Sequence, residues 1–393
     1  MGKANKRKKI MLISPMLHQG GFERICVMTA RLLQKEYDVV IAVFSLEDVA
    51  YDISGLQVID LKLKARKGKL NKGINVFRRS YRLTRLQREL DIDVSYSFGM
   101  TANIANALTT GARRKLTACH SFEEIKDAVY MKLISRHSDR VFCCSKKMAD
   151  LVQKDYGFTN VQALWNPCDI EGIQKQSRVA EGEDLSFWET EDKVLVSMGR
   201  EDDVKGFWHL LKAFRRINEK MPDTRLAIIG DGEFREYKEL AQRLGIAGRV
   251  LFAGLKRNPF PYLRKSDLYL LTSLSEGLPN ALVEALALSL PIVSVNCLSG
   301  PAEILHENWR EAEAKKVVFE ADYGILTPAV KPVKNMQTDM EEEEDELALA
   351  AEKLLGDPEL YESYQKAAAS RAADFSKEAH YRELVSYIEE IIN

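Results

Sequence analysis

The strongest constraint on this chain is an alternation kept up over nearly its whole length. Short apolar runs rich in β-branched residues are each followed by a helical pattern. In the first half the strand-like runs are Lys9–Ser14, Val39–Phe44, Val94–Ser97, Lys115–Cys119, Val141–Cys144 and Val161–Trp165. In the second half they are Val194–Met198, Arg225–Ile229, Val250–Phe252, Leu268–Thr272 and Ile292–Val295. Strands separated by helices cannot close as hairpins, so the pattern predicts α/β architecture with parallel sheets and crossover helices. Between Phe22 and Lys35, for example, Ile25, Met28, Leu32 and Leu33 fall on one face of a helix.

The 393 residues suit two domains of ordinary size. The periodicity weakens at Asn166–Asp184, which begins Asn-Pro, and the linker is placed there. This predicts a first domain over 1–183 and a second over 184–376. A further irregular stretch, Thr327–Asp345, ends in five consecutive acids, read as a solvated loop or a helix start. With 46% hydrophobic and 29% charged residues the composition is that of a globular protein, and no apolar run approaches a membrane span. The basic start, Met1–Lys9, is followed by a short strand-like run and does not read as a signal peptide. The six cysteines have no metal or C-x-x-C spacing and read as free thiols in a reducing cytoplasm.

Charge is divided unevenly. Residues 1–180 hold 31 Lys and Arg against 18 Asp and Glu, whereas the remainder holds 26 against 40. The basic half therefore suits an anionic partner. Its densest part, Lys62–Arg88, holds eleven basic residues and no acid. If Gly73–Leu90 is helical, Ile74, Phe77, Tyr81 and Leu86 make a narrow apolar seam among the arginines, predicting peripheral contact with an anionic membrane. A helix laying those apolar residues on its own sheet is the competing reading. No nucleic-acid motif or aromatic platform accompanies the charge, so nucleic acid is not expected.

The most specific chemical signal is SLSEGLPNALVEAL, Ser273–Leu286. A strand ends, a Glu-Gly-Leu-Pro turn follows, and a helix is expected to begin at Pro279, a residue suited to the first turn. Glu276 precedes that helix and Glu284 lies eight positions on, inside it. Carboxylates accept paired hydroxyl hydrogen bonds, and a helix N-terminus favours phosphate. A lone E-x7-E would be a surface helix with incidental acids; its companions change that reading. Gly199–Gly206, GREDDVKG, follows a strand and precedes a helix, where parallel sheets bind ligands. It carries Arg200 and Lys205, two cations suited to a diphosphate leaving group. Gly230-Asp231-Gly232 reads as a tight turn. Gln19-Gly20-Gly21 opens the first helix with backbone able to approach a phosphate, though it is not a G-x-G-x-x-G fingerprint, which disfavours a nicotinamide oxidoreductase. His120 ends the strand Lys115–Cys119 and should face the same edge, and His18 stands beside the Gly-Gly loop. His137, His209, His306 and His380 read as structural. No P-loop, Ser-His-Asp order or H-E-x-x-H occurs.

These residues together resemble the family-four retaining glycosyltransferases of the GT-B fold, over essentially the full length. SEGLPNALVEAL (275–286), GREDDVKGF (199–207), LAIIGDGEF (226–234) and NPCDI (166–170) carry the resemblance. FAGLKRNPFPYLRKSDLYLL (252–271) and SGPAEIL (299–305) point to members that build capsule, lipopolysaccharide or lipid-linked glycans. The resemblance implies two Rossmann-like domains facing a central cleft, with the closing helix 377–393 crossing back onto the first. It implies that Arg200 and Lys205 bind the donor diphosphate and that Glu284 binds the ribose. Glu276 and the backbone of Gly277 and Leu278 would hold the sugar. The loop Gly254–Asn258 would bracket the base, Gly21 would approach the phosphates, and His120 would face the donor sugar. Leu278-Pro279-Asn280 stands where many mannosyl transferases have Gly-Phe-Gly, which favours a UDP-sugar. The implied reaction is nucleotide diphosphate departure with front-face attack by a saccharide or lipid-linked acceptor, in the cytoplasm, with peripheral placement at the inner face of the membrane. Fixed cations would do the work of a metal, so neither metal nor cofactor is expected. Two other readings stay open: a non-hydrolysing UDP-sugar epimerase, and a non-catalytic sugar-nucleotide-binding partner subunit.

Overall fold

A computed structural model describes residues 7–64, 69–179 and 184–392 of the chain. It divides into two compact units, residues 1–167 with 377–393, and residues 168–376. The division thus falls after Pro167, inside the Asn166–Asp184 stretch read as the linker and ahead of the boundary placed between 183 and 184; residues 180–183 lie outside the described residues. Arg66 and Lys67 of the basic segment also lie outside them.

The first unit holds strands β1 (Lys9–Ser14), β2 (Asp38–Val43), β3 (Gln57–Asp60), β4 (Val94–Phe98), β5 (Arg114–Cys119), β6 (Arg140–Cys143) and β7 (Val161–Ala163). They form one sheet in the order β3-β2-β1-β4-β5-β6-β7, every pair parallel. Ile10, Met11, Leu12 and Ile13 of β1 are all fully buried, because helices cover both faces of the sheet. One face packs Ile25, Cys26, Ala30 and Leu33 of helix Gly21–Leu33 with Leu384, Ile388 and Ile391 of helix Lys377–Ile392. The other packs Leu83 of helix Lys69–Leu90 with Ala102 and Ala105 of helix Met100–Ala107. Met28, expected on the buried face of its helix, is only half-buried.

The second unit repeats the plan with β8 (Lys193–Met198), β9 (Thr224–Ile229), β10 (Val250–Gly254), β11 (Leu268–Leu271), β12 (Ile292–Val295), β13 (Phe319–Ala321) and β14 (Gly324–Thr327). The order is β10-β9-β8-β11-β12-β14-β13, parallel except for the β13–β14 pair. Phe207, Trp208 and Phe214 of helix Phe207–Lys220 fill its core with Phe234, Tyr237 and Leu347. The acidic run opens helix Glu342–Gly356 through a capping box in which Glu341 and Glu344 satisfy each other's backbone N–H. In both units the strand order reverses at the centre, between β1 and β4 and between β8 and β11. Open parallel sheets bind ligands at the carboxyl ends flanking such a reversal.

Candidate active site

In the second unit the two expected loops leave the strands on either side of the reversal. The loop after β8 is seated on Gly230. A Cβ there would lie 1.8 Å from the Gly199 carbonyl oxygen, so only glycine lets the two turns stack. The Glu201 N–H donates to the Asp231 carbonyl (2.7 Å), and the Glu201 carboxylate accepts the Phe234 N–H (2.8 Å). Gly230-Asp231-Gly232 is therefore more than a tight turn: it is the bed on which the cationic loop lies. Asp202 accepts the Val204 N–H with one carboxylate oxygen and holds Arg200 Nη2 with the other at 2.9 Å. Arg200 is 75% exposed, tethered but solvent-facing.

Lys205 ends a single 3-10 turn, and Gly206 follows it in the left-handed region at φ +61. A Cβ on Gly206 would lie 2.3 Å from the Thr272 carbonyl oxygen, and the Thr272 hydroxyl donates to the Lys205 carbonyl at 3.0 Å. The backbone is thereby locked to the end of β11, and the side chain is aimed across to the neighbouring loop. Lys205 Nζ meets Glu276 Oε1 at 2.7 Å, with the two side chains 23% and 12% exposed.

Glu276 sits in the turn after β11, where its N–H donates to the Leu298 carbonyl. Ser299 Oγ donates to the Gly277 carbonyl at 2.8 Å, and a Cβ on Gly300 (φ +100) would strike Pro279 Cδ at 2.3 Å. The Ser299-Gly300 pair thus clamps the Gly277-Leu278-Pro279 turn from outside. Sequence reasoning gave neither residue a role, though both lie in a motif it had singled out. Leu278 is buried, and Pro279 precedes the helix Asn280–Ala287 as its cap residue instead of opening it (ψ 93). Glu284 is buried on that helix. Burial raises the Tyr269 phenol and the charges of Glu284 and Glu276 add to the effect, so both carboxylates act on one β11 side chain. Gly254 ends β10 at φ +69 beside a register shift. Asn258 turns its amide inward, donating to the Gln176 carbonyl at 2.9 Å, so this side chain ties its own loop to helix Ile170–Gln176.

Gly21 and His120 belong to the first unit. The Tyr51 hydroxyl accepts the Gly20 N–H (2.8 Å) and donates to the Gly20 carbonyl (2.6 Å), fixing the glycine loop after β1. Gly21 is exposed, and nothing lies within 4 Å of where its Cβ would be. His120 follows β5, stacks on Phe98 (centroids 5.9 Å apart) and has Nδ1 3.2 Å from Asn166 Oδ1. Burial pushes its pKa down to about 4, so the ring is neutral near pH 7. With Nδ1–H donating to Asn166, Nε2 is left as an acceptor, and it is buried without a partner. Such an atom is a ready acceptor for a hydroxyl. Glu124, which the sequence did not single out, accepts the His120 N–H at 2.9 Å, and its own pKa is raised to about 7 by burial. Its backbone hydrogen bonds also take in Ser121 and Met100, tying the ends of β4 and β5 together.

A further titratable cluster lies in the core of the second unit. His209 Nδ1 meets Glu344 at 2.6 Å and Nε2 meets the Lys331 carbonyl at 3.0 Å. His209, Glu341 and Glu344 have the spacing of a metal site, but the Lys212 ammonium lies 3.3 Å from Glu344 and supplies the cation. The cluster ties two helices of the core. Among the described residues no two of the six cysteines are joined in a disulfide; Cys26, Cys119, Cys143, Cys144 and Cys297 are buried and Cys168 is half-buried.

Comparison with known proteins places both units. Residues 19–171 match the domain described as Glycosyltransferase Family 4, and residues 184–321 match Glycosyl transferases group 1. Between them these matches take in about three quarters of the chain. An uncharacterized glycosyltransferase of Methanocaldococcus jannaschii is 32% identical over 66% of this chain and 61% of its own length. The N-acetylgalactosamine-N,N'-diacetylbacillosaminyl-diphospho-undecaprenol 4-alpha-N-acetylgalactosaminyltransferase of Campylobacter jejuni is 23% identical over 97% of this chain and 99% of its own. Among solved structures, Anabaena Alr3699/HepE in complex with UDP-glucose superposes with a TM-score of 0.75 at 19% identity, covering 97% of this chain and 99% of that one. At that identity the likeness shows the fold.

Proposed function

This chain belongs to the family-4 glycosyltransferases of the GT-B fold, and we propose that it transfers a hexose or N-acetylhexosamine from a UDP-sugar, with retention, to a saccharide or lipid-linked acceptor of surface-glycan biosynthesis. One observation carries the reading. Lys205 and Glu276 meet at 2.7 Å from loops on the two sides of the strand reversal, so a cation for phosphate and a carboxylate for hydroxyls stand together. Lys205 and Arg200 neutralise the departing UDP, whose bond to the anomeric carbon breaks as its oxygen takes the electron pair. Glu276 and the backbone at Gly277 and Leu278 hold the sugar hydroxyls. Glu284 takes the ribose hydroxyls, and the loop Gly254–Asn258 takes the base. In the first unit, Gly21 offers backbone open to a phosphate, and His120 Nε2 offers an acceptor for a sugar hydroxyl. The acceptor oxygen attacks the face the UDP leaves, and its proton passes to the departing phosphate. Fixed ammonium and guanidinium groups stabilise the leaving charge, so the reaction requires no metal.

The preference for UDP rests on Leu278-Pro279-Asn280 and is supported by the N-acetylgalactosaminyl transfer and the UDP-glucose complex named for the relatives. Six cysteines with no disulfide among the described residues suit a cytoplasmic site of action. The test is a panel of UDP- and GDP-sugars with a polyprenyl-diphosphate saccharide acceptor, reading released nucleotide and the anomeric configuration of the product. UDP release with a retained α-linkage is expected. Release from GDP-sugars alone, or an inverted product, overturns the assignment.

A further inference from the structure

The helix Lys69–Leu90 is anchored so that one of its faces cannot turn inward. Leu83 and Gln87 are fully buried. Ser80 donates to the Ala105 carbonyl at 3.1 Å, and Gln87 Oε1 accepts the Ala112 N–H at 3.2 Å. Arg79 is buried over the Phe44 ring and donates to the Leu63 carbonyl. At 100° per residue, the side opposite Leu83 carries Ile74, Phe77 and Tyr81, interleaved with Arg78, Arg82, Arg85 and Arg88. Phe77 is 72% exposed, Tyr81 61% and Ile74 47%. Leu86, expected in this seam, packs half-buried on the core instead; exposed Leu108 from the next helix end takes its place.

The seam is also a groove. Phe77 and Tyr81 lie nearly parallel, 17° apart, along a cavity of about 820 Å³. Val76, Ser80 and Thr84 line its length, and Leu108 and Thr110 face them. Arg85 and Arg88 stand along it, Arg88 donating to the Thr110 hydroxyl at 3.0 Å. From Gly73 to Leu90 the only acid is Glu89, and it is already paired with Arg85 at 2.6 Å.

We propose that this face seats the protein on an anionic lipid bilayer, with Phe77, Tyr81 and Leu108 entering the acyl boundary and Arg78, Arg82 and Arg88 meeting the lipid phosphates. Charge complementarity selects this occupant. Uncovered aromatic rings need an apolar medium, the arginines among them need anions at the same depth, and a leaflet of acidic lipid offers both. Arginine stems can lie along acyl chains while their guanidinium groups reach the headgroups. Among the described residues no helix is long and apolar enough to cross a membrane, so the contact is interfacial. The inference does not rest on the proposed donor chemistry.

The full chain is sedimented with vesicles of phosphatidylcholine alone and with about one third phosphatidylglycerol, from ~50 to ~500 mM salt. Binding to the anionic vesicles, weakening as salt rises, is expected. The double variant Phe77→Ser/Tyr81→Ser should bind at least tenfold more weakly. Arg78→Gln/Arg82→Gln should lose about fivefold per charge. Both should keep the wild-type melting midpoint and UDP affinity. Equal binding to neutral vesicles, or none, overturns the proposal. So does loss of binding in the arginine variant alone, which would mark a site for a soluble polyanion. A dimer in sedimentation velocity that Phe77→Ser/Tyr81→Ser dissociates would assign the face to a second copy, and also overturns it.

Discussion

Replacing Lys205 by Met separates the charge of this residue from its bulk. The Lys205 stem packs within 3.1–3.2 Å of where a Cβ on Gly199 would stand, and Met keeps most of that contact. The loop backbone is held by groups the substitution leaves alone, the Thr272 hydroxyl on the Lys205 carbonyl and the Leu274 N–H on the Val204 carbonyl (2.7 Å). What disappears is one ammonium. Glu276, 12% exposed, then keeps its charge without its partner, which costs about 1–2 kcal/mol of stability, or roughly 2–4 °C per kcal/mol in a unit of this size. If Lys205 also bonds the leaving diphosphate, the transition state loses about 1.5–3 kcal/mol, a fall of roughly 10- to 150-fold in kcat/KM. The double variant Lys205→Met/Glu276→Gln removes the stranded charge. Its melting midpoint should return towards wild type while its turnover does not. The assay is UDP release by folded enzyme, beside a thermal melt of each variant. Restored turnover in the double variant, or turnover that merely tracks the folded fraction in both, would refute the assignment of Lys205 to the leaving group.

The other predictions concern neighbouring positions. Arg200→Ala should leave the melting midpoint within about 1 °C, since the side chain is largely exposed, yet raise the KM for the donor. Gly206→Ala should destabilise the second unit by about 2 kcal/mol or more in urea titration, because φ +61 and the Thr272 carbonyl both oppose a Cβ. Glu124 binds its proton more tightly folded, at about 7, than unfolded, so its contribution to stability fades as pH rises from about 4.5 to 7. His120 and His380, both near 4 when folded, act oppositely, their contribution being lost as pH falls from about 6.5 to 4. Glu124→Gln should therefore make unfolding free energy climb more steeply with pH between about 5 and 7, and an unchanged slope would remove Glu124 from that balance.

Most of the sheet framework is legible in the sequence because parallel strands buried on both faces run nearly continuously apolar, as Ile10–Ile13 of β1 and Leu268–Leu271 of β11 do. β3 escapes notice because Gln57–Asp60 is a half-buried edge strand with two polar ends. β13 and β14 are three and four residues long, a hairpin closed by the Asp322-Tyr323 turn, and neither run is long enough to stand out by its apolar pattern. The cationic loop and the two glutamates are legible because each is contiguous and ordered by its own strand-to-helix junction. The Ser299–Gly277 clamp and the Tyr51 hold on Gly20 join residues 22 and 31 positions apart. Glu124 is only four residues from His120, but in the sequence it is one acid of a Glu-Glu pair at a helix start. Its distinction is burial, which the sequence does not display.

The helix Lys377–Ile392 closes the first unit after more than two hundred residues have been spent on the second, and this gives the chain an order of assembly. Cys168 and Ser376, the two ends of the second unit, are bridged to each other, and the Cys168 N–H donates to the Phe375 carbonyl at 2.9 Å. The second unit is thus an insertion whose ends are stitched together, self-sufficient once residue 376 has emerged from the ribosome. The first unit begins earlier but finishes later. Until Leu384, Ile388 and Ile391 arrive, their partners Ile25, Leu33, Tyr96 and Phe142 lack part of their cover. A chain whose helix Lys377–Ile392 is still inside the ribosome would carry a finished second unit and, on the first, an apolar face still open to chaperones, and the bond from Tyr37 to Glu389 seals it last.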